Sequence, residues 1–108
     1  MLGIHVNGII DYSLWFIICH WLYQRYFQDK HFLQQEWRLI ELRLAYLIGL
    51  CNDEEGWLVI NKEDQVFIDW TADGEKYNAV QILWWQALDC GISLAQQMTS
   101  LKKANIKV

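Results

Sequence analysis

The chain has 108 residues, a net charge of −4, 54% hydrophobic residues and 15% aromatic ones. That length sets one domain as the expectation. The mild acidity, with Lys102-Lys103 as the largest basic cluster, argues against nucleic-acid binding, and three cysteines without a C-x-x-C pair argue against a disulfide framework or a zinc site.

The apolar surplus has a direct consequence. A domain of this size buries only roughly two-thirds of its unfolded-chain surface. Some of the seven tryptophans are therefore expected to be exposed or to face a partner.

The start, MLGIHVNGIID, lacks the basic segment and cleavage site of a signal peptide. The longest apolar run, Leu14 to Tyr23, is too short for a membrane span, which needs about twenty residues. Cys19, Cys51 and Cys90 each lie in an apolar run, where a free cysteine behaves as a small hydrophobe. A reducing, cytoplasmic setting without membrane insertion is the expectation.

Asp11 is placed to cap a first helix over about Tyr12 to Phe27, its carboxylate accepting from the first free amides. This helix is apolar almost all round, with Ser13, His20, Gln24 and Gln28 as its only polar stripe. Such a helix is expected to be buried on nearly every side. Asp29 caps a second helix, about Lys30 to Leu50, with an inward stripe of Leu33, Trp37, Ile40, Leu44, Leu47 and Cys51. Gln34, Gln35, Arg38 and Glu41 form its wet face, and Leu39, Leu42 and Tyr46 widen its apolar side. The short link at Gln28-Asp29 makes the two an antiparallel hairpin.

Asn52 to Gly56 ends the second helix with turn chemistry. Two strand-like runs, Trp57 to Ile60 and Val66 to Asp69, predict a short β-hairpin closed by NKEDQ. Asn78, with Gln81 in the capping-box position, predicts a third helix running to about Met98. Val80, Leu83, Trp84, Ala87, Leu88, Leu94 and Met98 face inward; Trp84 and Trp85 point to different sides. Gly91, costing about 1 kcal/mol against alanine inside a helix, marks the close approach of another backbone. The tail after Ser100 is expected to fray. The fold class is mainly α: an antiparallel helical hairpin plus a third helix with a short β-hairpin.

The order of features in IIDYSLWFIICHWLYQRYFQDKHF, AYLIGLCNDEEGWLV and VFIDWTADGEKYNAVQILWWQALDCGISLAQQM resembles the catalytic domain of bacterial α-L-rhamnosidases, glycoside hydrolases built as (α/α)6 barrels. In that family an Asp precedes an inner helix ending in Leu-Tyr and then Gly-Asp; here these fall on Asp11, Leu22-Tyr23 and Gln28-Asp29, without the glycine. The Asp-Gly turn and the Asp-Trp at the barrel mouth fall on Glu55-Gly56 and Asp69-Trp70. The resemblance covers about residues 9–98 and implies a partial domain of an (α/α)6 toroid.

It implies further that Asp11, Trp15, Asp69 and Trp70 contact a rhamnoside in the intact parent, the carboxylates accepting from hydroxyls and an indole stacking on the sugar. The family's catalytic acid and base lie in segments outside this region, so the resemblance implies no catalytic residue here and an inactive isolated chain. Inverting glycosidases set two carboxyl groups about 6.5–9.5 Å apart; Asp11 and Asp69 are the only acids in suitable surroundings, but Asp11 is already accounted for as a cap. His5, His20 and His31 have no metal-ligand spacing. Neither a serine or cysteine nucleophile motif nor a phosphate loop is present, and no cofactor is implied. The alternative reading is a small helical interaction module, and both readings predict a homo-oligomer formed through exposed apolar helix faces.

Overall fold

A computed structural model describes residues 10–52, 54–59 and 73–107, without the side chains of residues 11, 73–78 and 105–107. Three helices account for most of it: α1 (Ile10–Phe27), α2 (Lys30–Gly49) and α3 (Asp73–Lys107). Each packs on the other two, α1 most extensively on α3. The mainly helical class is as the sequence implies, and there is no strand among the described residues.

The core lies where the three helices meet. Ile10, Leu14 and Ile17 come from α1, Leu33, Ile40 and Leu47 from α2, and Val80, Ala87 and Leu94 from α3. The spacings of three, four and seven put these on one face of each helix. Trp84 and Met98 complete the α3 stripe, and Leu58 enters from the loop after α2.

The turn between α1 and α2 is tightly specified. Asp29 caps α2, its Oδ1 accepting from the Phe32 amide at 3.0 Å. The Tyr23 hydroxyl donates to Asp29 Oδ2 at 3.4 Å, and the Gln24 amide donates to the Asp29 carbonyl at 2.9 Å. Gln28 adopts φ 48°, the left-handed conformation that ends a helix and usually calls for glycine. Its amide donates to the Gln24 carbonyl at 2.9 Å.

The first helix departs from expectation in two ways. Helix α1 already includes Ile10, so Asp11 lies in its first turn rather than ahead of it. Nor is α1 enclosed on every side: Tyr12, Trp15, Leu22, Tyr26 and Phe27 are exposed. Its polar residues turn inward instead, because Gln24 and His20 have partners at the α1–α2 seam. Ser13 is fully buried, and its Oγ has no hydrogen-bond partner among the described residues.

After α2, Asn52 Oδ1 accepts from the amides of Glu54 and Glu55 at 2.8 and 3.1 Å, and Gly56 turns the chain at φ 78°. Leu58 then forms a single antiparallel bridge back to Cys51. The Gln81 side chain takes up the other side of Leu58, donating to its carbonyl at 2.8 Å and accepting from its amide at 3.0 Å. Trp84 Nε1 donates to the Gly56 carbonyl at 3.1 Å. Of the run expected over Trp57 to Ile60, residues 57–59 are thus held by the segment just after α2 and by α3; Ile60 and the expected hairpin partner, Val66 to Asp69, lie outside the described residues.

Helix α3 is longer at both ends than the sequence suggests. It begins at Asp73, which puts Asn78 inside it, and it continues to Lys107 instead of fraying after Ser100. Gly91 does mark a close approach, but of a side chain: a Cβ there would lie 2.8 Å from Leu44 Cδ2.

Candidate interaction surface

Of the residues assigned to a sugar site, Trp15 is half-exposed on the outer side of α1. The Asp11 side chain is not among those described, and Asp69 and Trp70 lie outside the described residues. No described group of three or more His, Cys, Asp or Glu side chains is arranged to hold a metal ion.

The seam between α1 and α2 is polar and aromatic. His20 Nδ1 lies 2.9 Å from the Phe16 carbonyl, and Nε2 lies 3.3 Å from Glu36 Oε1. The ring stacks nearly parallel to Phe32, with centroids 5.8 Å apart. Arg43 lies 5.4 Å from the centre of the Phe16 ring, a cation–π contact across the same seam. His20 therefore ties two helices together. The bonds orient the hairpin, and another side of α1 faces outward.

That side carries the feature the sequence reading missed. Tyr12, Trp15, Cys19, Leu22 and Tyr26 are all exposed and follow one another at steps of three, four, three and four. This is the spacing of a coiled-coil stripe. No charged residue interrupts it. On α2 the exposed Leu39 lies one turn from both Glu36 and Arg43, which face α1, and the exposed Leu42 follows one turn after Leu39. The signal was available: a helix apolar all round hides its outward stripe among its inward ones, but the three-four spacing singles the stripe out.

Helix α3 has a second exposed face. Ile82, Trp85 and Ile92 lie outward, and Trp57 stands beside them. An open groove of about 450 Å³ runs between Trp57, Gln81, Ile82, Trp85 and Gln86. Exposed Gln86, Asp89 and Gln96 break this face. A groove of about 410 Å³ between α1 and α3 is lined mainly by polar and basic side chains, including Gln24, Arg25, Lys30 and Gln97.

The thiols divide by environment. Cys19 is exposed on the α1 stripe. Burial pushes the Cys51 thiol pKa up. Cys90 is pushed up by burial and by the neighbouring Asp89 carboxylate, with a hydrogen bond to Gln86 partly opposing them.

No helix among the described residues is long and apolar enough to cross a membrane. No family model matches the chain, and no curated protein or solved structure is similar to it.

Proposed function

We propose that this chain is a helical interaction module that associates with copies of itself through apolar helix surface lying outside its core. The observation that carries the reading is the uninterrupted exposed stripe on α1, to which the hairpin's other helix adds the exposed Leu39 and Leu42. Contiguous apolar surface on this scale is uncommon on a monomer and marks an interaction site. Among the described residues, no member of the stripe belongs to the core cluster that joins the three helices. Sedimentation over a range of concentrations tests the reading. A dimer or larger species that dissociates on dilution is the expected result, and a compact monomer at the highest concentration overturns it.

The exposed faces on α1 and α3 also fit a second reading. Adjacent hairpins cut from a helical toroid would present such faces on both flanks. On this reading the chain is a partial rhamnosidase-like domain, with Asp11, Trp15, Asp69 and Trp70 at the sugar-binding corner of the intact parent and the acid and base elsewhere. The isolated chain then turns over no aryl α-L-rhamnoside. Turnover that disappears in the Asp69→Asn variant would contradict the inactive fragment.

A further inference from the structure

We infer that the chain pairs as a two-fold dimer in which the α1 stripe of one copy packs on the same stripe of the other, with the two Cys19 residues meeting near the axis. The inference rests on the self-association reading and specifies its surface. Three features of the structure lead to it.

The first is spacing. Tyr12, Trp15, Cys19, Leu22 and Tyr26 repeat at three and four along a straight helix, the periodicity that lets side chains of two helices interlock. The stripe covers fourteen helical steps, about 21 Å. Cys19 stands at its centre, two stripe residues on either side.

The second is area. Tyr12, Trp15 and Leu22 are 47%, 46% and 40% exposed and Tyr26 is 79% exposed, while Leu39 and Leu42 beside them are 47% and 50% exposed. With an aromatic side chain contributing roughly 150–250 Å² when fully buried, this face presents on the order of 600 Å². Two such faces together remove on the order of 1,200 Å² from water, the lower bound for a specific and stable interface. A partner that did not supply a matching apolar face would leave part of that area wet.

The third is charge. A two-fold interface places each patch against itself, so any charge within it meets its like. The α1 stripe carries none, and self-pairing costs no repulsion at its centre. The outer face of α3 differs: Asp89 lies among Ile82, Trp85 and Ile92 and would oppose its own copy or stay close to it. The α1 face is accordingly the one suited to a second copy of this chain. Full overlap of the stripe brings Cys19 opposite Cys19 whether the two helices run parallel or antiparallel, because Cys19 is the midpoint in both arrangements.

Two variants and one cross-link test this. Trp15→Glu puts a carboxylate inside the paired stripe and is expected to weaken the dimer at least tenfold by sedimentation; Trp85→Glu on α3 is expected to leave it unchanged. Both positions are exposed, and circular dichroism verifies that each variant keeps its helices. Diamide, which takes up the two thiol hydrogens as the disulfide forms, is expected to link the wild-type dimer covalently and to fail with Cys19→Ser. A wild-type dimer that survives Trp15→Glu, or that diamide does not link through Cys19, overturns the assignment of the face while the self-association reading stands. A wild-type chain that stays monomeric at every concentration overturns both.

Discussion

Cys90 illustrates how one buried side chain sets a condition on stability. Its thiol lies in the core with the Asp89 carboxylate next in sequence, and both burial and that charge favour the neutral form. The folded chain therefore holds this proton to a higher pH than the unfolded chain does. The stability contributed is full below the ordinary thiol value of 9.0 and is lost as pH climbs through the raised one. Cys51 adds a shift of the same sign, from burial alone. The urea midpoint is expected to fall as the pH rises above 9.0, and to fall less steeply in Cys90→Ala. An identical alkaline decline in both proteins would show that Cys90 stays protonated in neither state preferentially. The cysteine's place in an apolar run and its neighbour Asp89 are legible in the sequence; its burial and the hydrogen bond to Gln86 are not.

At the scale of the element, α2 was read almost completely from its pattern. Its cap at Asp29 and the buried Leu33, Ile40 and Leu47 fall where a period of about 3.6 puts them. Helix α3 was legible in its middle and not at its ends. Asn78 and Gln81 have capping-box spacing, but the Gln81 amide is committed to both backbone groups of Leu58, twenty-three positions earlier. A contact that distant leaves no local signal. The helix starts instead at Asp73. Near its other end stand Lys102 and Lys103, which suit the negative end of the helix dipole, and Leu101 packs against the core.

The crossing of α2 and α3 has its own test. Leu44 reaches over Gly91 so closely that a Cβ would meet Cδ2 at 2.8 Å and Cδ1 at 3.1 Å. Gly91→Val is expected to destabilise the fold by about 1–3 kcal/mol through overpacking, measured by urea unfolding. Leu44→Ala in the same chain removes the obstruction, so the double variant is expected to lose less than the two single losses combined. Strict additivity would show that the two side chains do not meet.

On the scale of the whole molecule, α3 sets the shape. Thirty-five residues of helix measure about 52 Å, matching the longest dimension in extents of 53 × 30 × 27 Å. Composition had announced the main property of this surface: the aromatic surplus exceeds what three helices enclose, and Trp15, Trp57 and Trp85 lie exposed. What composition withheld was the location. In α1 nearly every position is apolar, so hydrophobicity alone does not tell the core face from the solvent face. Partners of His20 and Gln24 decide it, and those partners come from α2 and from the turn that precedes it.

The loop residue Leu58 has a consequence for recognition. An extended peptide can join a protein by adding itself to a backbone edge whose amides and carbonyls are still open. At Leu58 one flank is filled by the Asn52–Trp57 and Leu50–Val59 bonds, and the other by a glutamine side chain imitating a neighbouring chain. Strand addition is closed at this point, so no extended peptide can pair with the backbone of Leu58 unless Gln81 first gives way.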